Sequence, residues 1–567
     1  MNKNELATTK KDSMRFSVLD RDIQLDKAVE KKFDLVVIGG GVTGAGIALD
    51  ASSRGLKVCL IEKNDFASGT SNKSTKLIHG GLRYLKQMEI GLVKESGTER
   101  ALVHKLAPHL VVPEKMLLPL IEGGTYGKIM ASIGLKVYDF LANVEGEDKR
   151  KMLSAQETMD KEPLLNKQGL TGGGYYAEYR TDDARLTIEL LKKAASFGAN
   201  SINYCEMISF NYDPDGKIKS LQCLDHNTNK SFIIRARNYV SATGPWVDLL
   251  RKKDHSVNNK HLRLTKGVHL VFSRERFPLT QSVYFDVPDG RMIFAIPRGR
   301  ATYVGTTDTD YNANLNRVVA LQKDAEYLLT AVNQMFTGLH LTQKDIESNW
   351  AGLRPLIHED GKNPSELSRK DEIFVSKSGL ISIAGGKLTG YRKMAQRTLD
   401  AVIKTMSDKR KDRFSKPYTE KIPLTSSPLA DTKAVKSYLS QITKTLKQAG
   451  IVDPYCAWYL TSTYGKQADI IIHKMNSFLD TEIADRLIRA ELWYCVYYEM
   501  ANGIADFFVR RTGRLYFDIQ SVYRYRALVQ KDLVAYLDWD KTRLQSENDY
   551  MDLLIKDATT YYQKEID

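Results

Sequence analysis

Residues 33–44 of this chain read FDLVVIGGGVTG, and this stretch decides the fold. The apolar run 33–38 is short, rich in β-branched side chains and ended by glycine, which is typical of a buried parallel strand. Residues 47–54 then predict a helix with Gly55 as its C-cap. Residues 57–62, KVCLIE, predict a second strand. The segment is therefore a strand, a glycine-rich turn, a helix and another strand.

The turn fits the pattern G-x-G-x-x-G in the strand-to-helix context that dinucleotide binding requires. Gly39 permits the tight turn, Gly41 lets the backbone approach a pyrophosphate, and Gly44 lets the helix pack on the strand. The helix N-terminus then faces the phosphates. Glu62 ends the second strand, where its carboxylate would bind an adenosine ribose and repel a 2′-phosphate. The pattern favours FAD or NAD over NADP; the alternative is a glycine-rich turn without a ligand.

Three later segments favour FAD over NAD. The loop 68–76 is dense in hydroxyl groups, and its candidate cofactor residues are Thr70, Ser71, Ser74 and Lys76. A second glycine pair then offers close backbone approach to a flat ring, with the candidates His79, Gly80, Gly81 and Leu82. The segment 241–246, SATGPW, resembles the A-T-G segment of flavoproteins and adds Ala242, Gly244 and Trp246. A domain that binds NAD alone would not need these additions.

Composition excludes several classes of protein. The chain has 567 residues and is 42% hydrophobic, which is enough to bury several cores without disulfide or metal staples. No run of 18 or more apolar residues predicts a membrane-spanning helix. The five cysteines form no C-x-x-C pair and the N-terminus lacks an apolar signal, so we expect a cytoplasmic protein without a zinc cluster. The run 538–543 begins like a calcium loop but lacks its glycine and final glutamate, so we expect no metal.

The charge balance points to an anionic partner. Lys and Arg number 83 against 69 Asp and Glu, a formal charge of +14. Such a balance suits nucleic acid, anionic lipid or a phosphorylated metabolite, and it also fits an ordinary solvated surface. The informative cations lie beside glycines and are not interleaved with aromatics along one face, so we expect no nucleic acid.

Seven motifs together carry a family resemblance, at compatible spacing over about residues 32–520. They are KLIHGGLRYL (76–85), DDARL (182–186), SATGPWV (241–247), KGVHLVF (266–272), VGTTDTDY (304–311), AGLRPL (351–356) and GGKLTGYRKMA (385–395). Jointly they resemble the FAD-dependent glycerol-3-phosphate dehydrogenases. The resemblance implies oxidation of sn-glycerol 3-phosphate to dihydroxyacetone phosphate, with electrons passing through FAD to a membrane quinone.

The resemblance also implies an α/β fold similar to glycine oxidase and amino-acid oxidases. Such a fold pairs a Rossmann-like FAD-binding domain with an antiparallel substrate cap, here followed by a C-terminal helical domain. We expect a polar extension at 1–30, flexible or loosely docked, and assign the other segments as follows: the FAD-binding domain to 31–115, 170–264 and 345–410, the cap to 116–169 and 265–344, and the helical domain to 411–567.

Family motifs place a set of candidate substrate-binding side chains. Guanidinium groups pair bidentately with phosphate and lysine adds a point charge, so cations in these motifs fit a phosphorylated substrate. The candidates are Arg83, Tyr84, Arg354, Arg369 and Lys387. Arg369 lies outside a glycine-flanked motif, and an ordinary surface charge is the alternative for each cation.

His269, in KGVHLVF, is the candidate general base, assisted by Arg354. An ordinary histidine pKa is near 6.5, so the ring accepts a proton at neutral pH, and nearby cations would lower that pKa. The alternative is a structural histidine on an alternating strand. Gly386, Leu388 and Thr389 are expected to close over the flavin pyrimidine, and His79 to contact the flavin.

The resemblance implies a peripheral protein on the cytoplasmic face of the membrane, often a homodimer. Segment 127–142 places Met130, Ile133, Val137 and Leu141 on one helical face, which could enter an anionic membrane surface or pack in the core. The run 506–511 is interpreted as packing. Competing hypotheses are a glycerol-3-phosphate oxidase that uses oxygen and makes peroxide, an amine or amino-acid oxidase, and a non-enzymatic basic binding module.

Overall fold

The computed structural model describes residues 16–79, 90–124, 149–360, 370–425, 428–479 and 481–566. The strands of these residues, in chain order, are β1 (Lys32–Ile38), β2 (Val58–Ile61), β3 (Leu77–Ile78), β4 (Val112–Ile121), β5 (Lys151–Leu153), β6 (Leu170–Arg180), β7 (Asn200–Ile202), β8 (Cys205–Tyr212), β9 (Ile218–Asp225), β10 (Lys230–Ser241), β11 (Lys260–Ser273), β12 (Ser282–Asp286), β13 (Met292–Arg298), β14 (Ala301–Gly305), β15 (Thr309–Asp310), β16 (Ile346–Glu359), β17 (Asp371–Val375) and β18 (Leu380–Gly385).

The helices of the described residues are concentrated in the C-terminal third of the chain. In chain order they are α1 (Arg21–Glu30), α2 (Val42–Ser53), α3 (Ile90–Leu106), α4 (Ala155–Lys161), α5 (Asp183–Ser196), α6 (Val247–Lys253), α7 (Gln322–Met335), α8 (Tyr391–Lys404), α9 (Asp408–Lys411), α10 (Thr432–Gln448), α11 (Pro454–Tyr464), α12 (Ala468–Met475), α13 (Ile483–Tyr498), α14 (Arg514–Phe517), α15 (Ile519–Leu537) and α16 (Lys541–Thr559). A π-helical segment, Asp506–Arg511, precedes α14.

The first sheet brings the cofactor motifs to one edge. Its order is β17-β18-β10-β1-β2-β7, with β18, β10, β1, β2 and β7 parallel. Ile38 is opposite both Ile61 and Ser241 in register. Because the carboxyl ends of parallel strands meet at one edge, the glycine turn, Glu62 and Ala242 lie side by side there.

Helices cover both faces of this sheet, which explains the continuous apolar run of β1. Leu35 and Val37 pack in a core with α2, α5 and α8, whereas Val36 and Ile38 pack in a second core with α1 and the β8–β9 hairpin. Successive side chains of a strand point to opposite faces, so the buried positions 35–38 of β1 are all apolar, whereas Asp34 near its start is only half-buried.

The second sheet is mostly antiparallel and carries the predicted base. Its order is β15-β11-β14-β13-β12-β4-β6-β3, with β16 also paired to β11 and β5 to β6. One face packs against α7. The other packs against the C-terminal helices, where Phe507 and Phe517 join the core of Tyr303 and Trp350. The fold class expected from the sequence is therefore confirmed in its two sheets and its C-terminal helical region.

The chain crosses between the two sheets more often than the sequence-based segments imply. β6 and β16 fall in segments that were assigned to the FAD-binding domain, yet both pair in the second sheet. β6 spans 11 residues and pairs with β3, β4 and β5, and β16 spans 14 residues and pairs with β11 along its length.

The N-terminal extension is docked wherever it is described, which corrects the expectation of a loose segment. Phe16 is buried and stacks on Phe66 at 5.6 Å between ring centroids. The Arg21 guanidinium, also buried, donates to Asn203 O at 2.7 Å and pairs with Asp225 at 2.5 Å. These partners are far along the chain, so local polarity does not reveal the docking. Residues 1–15 lie outside the described residues, as does segment 127–142.

The π-helical segment joins the C-terminal region to the segment that follows β2. All its side chains are buried, and Arg511 pairs with Asp65 at 2.6 Å. The interpretation of this segment as packing is therefore confirmed. No helix within the described ranges combines the length and the apolar character needed to cross a membrane.

Candidate active site

A long cleft opens at the carboxyl edge of the first sheet. One part, about 240 Å³, is lined by the glycine turn, Glu62 and Trp246. A second part, about 650 Å³, is lined by His269 and Arg354. Both parts share lining residues, including Thr70, Ser71 and residues 386–388, so the cleft is continuous. It joins the predicted dinucleotide site to the predicted substrate site.

The turn has room only for glycine at its two ends. Gly39 has φ +110°, and a Cβ there would lie 2.6 Å from Ala242 O. A Cβ at residue 44 would lie 1.9 Å from Gly39 O. The main chain is thus packed against itself, and α2 begins at Val42, directly after Gly41. The N-terminus of α2 is placed at the cleft, where backbone N–H groups suit phosphate oxygens.

Glu62 is held by the backbone at the end of β2. Its Oε2 accepts from the Gly40 N–H at 2.7 Å and its Oε1 from the Asn64 N–H at 2.9 Å. Burial raises the pKa of Glu62 above its ordinary value, and these two N–H groups oppose that rise. A carboxylate has about four lone-pair sites, so the group keeps acceptor capacity for ribose hydroxyls.

The hydroxyl-rich loop divides into cleft-lining and supporting residues. Thr70, Ser71 and Ser74 line the cleft; Ser71 Oγ accepts from the Val42 N–H at 2.9 Å, and Thr70 Oγ1 donates to Leu353 O at 2.8 Å. Lys76 is different, since its buried ammonium pairs with Asp183 at 2.5 Å and is not part of the described lining.

The A-T-G segment and the following tryptophan line the first part of the cleft. Ala242, Gly244 and Trp246 all contribute, and the Lys63 ammonium lies 4.7 Å from the centroid of the Trp246 ring. The sequence reasoning missed Lys63, which follows Glu62 directly and could have been found from that position. Burial lowers the pKa of Lys63.

His269 is buried inside the second part of the cleft. Its ring stacks on Trp350 at 4.6 Å between centroids, and its Nε2 lies 3.0 Å from Thr75 Oγ1. The ring fits because residue 305 is glycine, where a Cβ would lie 2.1 Å from His269 Cδ2. Burial, then the charges of Arg354 and Lys76, lower the pKa of His269 well below its ordinary 6.5. The imidazole is therefore uncharged at neutral pH and competent to accept a proton.

Arg354 is held in the same part of the cleft by the segment 304–311. Its Nη1 donates to Thr307 O at 3.0 Å and to Asp308 Oδ1 at 3.2 Å, and its Nη2 donates to the Thr306 hydroxyl. The guanidinium lies across Gly267, where a Cβ would be 2.5 Å from Nη2. About a third of the Arg354 side chain is exposed, and the residue lines the second part of the cleft. Its positively charged guanidinium is therefore accessible to a ligand there.

Residues after β18 lie where the two parts of the cleft meet. Gly386 (φ +77°), Lys387 and Leu388 line both parts, and Thr389 lines the second. The Thr389 hydroxyl donates to His79 O at 3.2 Å. The predicted residues Gly80, Gly81, Leu82, Arg83, Tyr84 and Arg369 lie outside the described residues.

Sequence reasoning missed the partners that hold the two central side chains. Trp350 and Thr75 hold His269, and Thr306, Thr307 and Asp308 hold Arg354. Thr306, Thr307 and Asp308 lie in the motif VGTTDTDY (304–311), so its polar residues could have been proposed from the sequence. Trp350 is opposite His269 in the β11–β16 register, a pairing that no local pattern reveals.

The arrangement fits FAD on observations of this chain alone. The first part of the cleft is lined by a close-packed glycine turn, a helix N-terminus and an acidic residue. The second part is lined by residues 386–389. These groups suit a pyrophosphate, a ribose and a flavin ring in that order.

Comparisons with known proteins agree with this geometry. Residues 34–392 match the family described as FAD dependent oxidoreductase, and residues 418–544 match the C-terminal domain of alpha-glycerophosphate oxidase. The chain is 50% identical over 548 residues to an aerobic glycerol-3-phosphate dehydrogenase of Bacillus subtilis, covering 96% of this chain and 98% of that protein.

Solved structures extend the comparison to the fold. The glycerol-3-phosphate dehydrogenase of Bacillus halodurans, complexed with FAD, has a TM-score of 0.81 and 41% identity, covering 96% of this chain and 99% of that one. Glycine oxidase of Geobacillus kaustophilus, at 18% identity and a TM-score of 0.51 over 70% of this chain and 99% of its own, shares the fold alone. Sequence, fold and cofactor site thus agree, and this chain belongs to the family of FAD-dependent glycerol-3-phosphate dehydrogenases.

Proposed function

We propose that this chain oxidises sn-glycerol 3-phosphate to dihydroxyacetone phosphate and passes the electrons through FAD to a membrane quinone. The observation that carries the proposal is the continuous cleft, which joins a dinucleotide turn to a pocket with an uncharged histidine and a fixed cation. The substrate is inferred from the relatives, which are named glycerol-3-phosphate dehydrogenases.

Oxidation of a secondary alcohol requires removal of a hydride and a proton. Bound FAD would supply the hydride acceptor. His269 takes the proton of the C2 hydroxyl, because its ring is uncharged at neutral pH. Arg354 orients the hydroxyl oxygen and stabilises the negative charge that develops when the proton leaves. Trp350 and Thr75 hold the ring in position, so no rearrangement is needed at the moment of transfer.

The phosphate of the substrate requires a cluster of cations. We assign its binding to Arg83, Arg369 and Lys387 with Tyr84, and give Arg354 a share in it. Lys387 lines both parts of the cleft, which supports its role. A phosphate dianion recruits several cations, whereas the single carboxylate of an amino acid needs fewer. The charge of the site therefore favours a phosphorylated substrate over an amine or amino acid.

The remaining cofactor contacts follow the cleft. Glu62 binds the ribose, the turn from Gly39 to Gly44 binds the pyrophosphate, and residues 386–389 close over the flavin. Peptide groups at the start of α8 would favour negative charge on the flavin pyrimidine. Lys76 acts from a distance, since its charge helps to keep His269 uncharged.

We place the protein at the cytoplasmic face of the membrane as a peripheral protein. We also propose that it can form a homodimer, as the family resemblance implies. The formal charge of +14 supports attraction to an anionic membrane surface. Segment 127–142 remains the proposed membrane contact.

The division into domains is proposed to follow the two sheets, so that β6 and most of β16 belong with the cap.

The electron acceptor, quinone or oxygen, distinguishes the proposed dehydrogenase from the oxidase alternative. The relatives are named dehydrogenases and do not favour the oxidase. The test supplies purified, FAD-loaded protein with sn-glycerol 3-phosphate and either a soluble quinone analogue or air. We expect turnover with the quinone analogue at least tenfold faster than with oxygen. Turnover in air at the quinone rate, with stoichiometric peroxide, would overturn the dehydrogenase assignment and support the oxidase.

A further inference from the structure

The ribbon formed by β11 and β16 carries a second group of histidines, away from the cleft. His261 on β11 is directly opposite His358 on β16 in antiparallel register. Directly opposed residues share one face of a sheet, with Cβ atoms about 5 Å apart. Asp360 follows two residues after His358, and its Oδ1 lies 3.3 Å from His261 Nδ1. Three side chains that commonly bind metals therefore meet at one end of the ribbon.

The distances suit a single ion. The two imidazole rings lie 5.2 Å apart between centroids at an interplanar angle of 71°, so their edges, where the nitrogens lie, can converge. One ligand atom from each of His261, His358 and Asp360 lies within 4.8 Å of the others. Ligand atoms around tetrahedral zinc are about 3.4 Å apart, given bonds of roughly 2.1 Å. The His261–Asp360 pair already has this separation, and a small rotation of His358 completes the set.

The surroundings leave the three groups accessible to a metal. The side chains of His261 and Asp360 are about 41% and 63% exposed. The nearby Glu372 is engaged by Lys260 at 2.5 Å. Lys260 neighbours His261 in sequence, so it projects from the opposite face of the strand, and its charge is held by Glu372 away from the three ligands.

We propose that His261, His358 and Asp360 form a binding site for a divalent transition-metal ion of the zinc class. Two neutral imidazoles and one carboxylate favour Zn²⁺, Cu²⁺, Ni²⁺ or Co²⁺ over Mg²⁺ and Ca²⁺, which prefer oxygen ligands throughout. Water would fill the remaining coordination position. The expectation of no metal came from cysteine spacing and a calcium-loop pattern, neither of which detects ligands paired across strands.

The site is joined to the active site through the ribbon and does not take part in the chemistry. His358 lies four residues from Arg354 on β16, about 14 Å at roughly 3.4 Å per residue. A bound ion would link the ends of two strands that carry His269 and Arg354. Because the ion binds the folded form, it should raise the temperature of unfolding, and the rise should grow with the concentration of free ion.

The test uses full-length, FAD-loaded protein stripped with a chelator and then titrated with ZnCl₂. Equilibrium dialysis with metal analysis should show one strongly bound ion per chain in the wild type. The double variant His261→Ala/His358→Ala should bind that ion at least tenfold more weakly, and Asp360→Asn should show a smaller loss. A hundredfold excess of Mg²⁺ should not displace the ion.

His226→Ala is the matched control, because His226 pairs with Glu206 at 3.0 Å on the surface and belongs to no group of three possible metal ligands among the described residues. This variant should bind zinc as the wild type does. Flavin absorbance and turnover in chelator verify that the double variant is folded. Equal zinc binding by the wild type and the double variant would overturn the site, as would wild-type protein that binds no zinc or binds it no more tightly than Mg²⁺.

Discussion

His269 is uncharged because of where it lies. Its ring is only 1% exposed and lies near the charges of Arg354 and Lys76, and both conditions disfavour the imidazolium form. The substitution His269→Gln keeps a polar side chain but removes the base. We expect kcat/KM to fall by about 10²- to 10⁴-fold while FAD stays bound. Stopped-flow flavin reduction by sn-glycerol 3-phosphate measures this; a fall of less than about threefold would exclude His269 as the base.

The pH dependence gives a second test of the same residue. Since the pKa of His269 lies well below 6.5, the rate of flavin reduction at saturating substrate should stay level as the pH falls through 6.5. Burial is the first cause of that low pKa and Arg354 the second. In Arg354→Met the cation is lost, so the pKa of His269 should rise and the acid limb should move to higher pH. An acid limb at the same pH in both proteins would contradict this account of the charge.

Residue identity could be predicted at these positions, but residue surroundings could not. His269 and Arg354 were nominated from their motifs, and the structure brings both to one part of the cleft. The hydroxyl-rich loop predicts Lys76 as a cofactor ligand, but nothing in that loop indicates that its ammonium pairs with Asp183 at 2.5 Å. Such outcomes depend on backbone conformation and on partners more than 100 residues away, which a local pattern does not specify.

At the scale of elements, the turn between β1 and α2 is the most restrictive part of the chain. A Cβ at residue 44 would meet Gly39 O at 1.9 Å, and this oxygen belongs to the main chain of the turn, so it cannot give way as a flexible side chain could. We expect Gly44→Ala to reduce FAD content at least tenfold, read as flavin absorbance per chain. Gly91→Ala is the control, because a Cβ there meets nothing within 4 Å and alanine favours the helix α3. Equal FAD content in both variants would contradict the close packing.

Elements with a clear hydrophobic period were predicted well. The strand expected at 33–38 is β1, and the strand expected at 57–62 is β2. The helix α2 begins at Val42, five residues before the expected start, because its first turn consists of small residues without an apolar period. The sequence analysis also did not predict the helix α1. Its docking depends on a buried polar contact of Arg21 with Asn203 O, which no apolar period indicates.

At the scale of the whole molecule, buried ion pairs join the C-terminal region to the FAD-binding domain. Glu499, just after α13, accepts two bonds from the Arg185 guanidinium at 2.6 and 2.8 Å. Lys192 adds a third at 3.0 Å. Both cations lie on α5, which packs on the first sheet. The pairs therefore bring two parts of the chain more than 300 residues apart into a fixed contact, which composition could not predict.

These pairs make stability depend on pH in a defined direction. Burial acts to raise the pKa of Glu499, but the charges of Arg185 and Lys192 prevail and lower it from 4.5 to about 2. A lowered folded-state pKa stabilises the fold above the unfolded pKa, and this contribution is lost as the pH falls from 4.5 toward 2. Glu499→Gln should reduce the free energy of unfolding by about 3 kcal/mol at neutral pH.

Thermal unfolding of the two proteins checks this expectation. The melting temperature of Glu499→Gln should be lower by several degrees at neutral pH, and the gap should narrow as the pH falls below about 4.5. Glu206→Gln removes an exposed pair with His226 and should leave the melting temperature almost unchanged. A gap that is equal at every pH would show that Glu499 acts through packing and not through charge.

The most direct test of the central claim is anaerobic reduction of the bound flavin by substrate. Purified, FAD-loaded protein is mixed with sn-glycerol 3-phosphate in the absence of oxygen, and the visible flavin absorbance is followed. We predict complete bleaching of the flavin band by the substrate, recovery on addition of a quinone analogue, and no bleaching by glycerol or glycine. A flavin that stays oxidised with sn-glycerol 3-phosphate would contradict the assignment of this cleft to glycerol-3-phosphate oxidation.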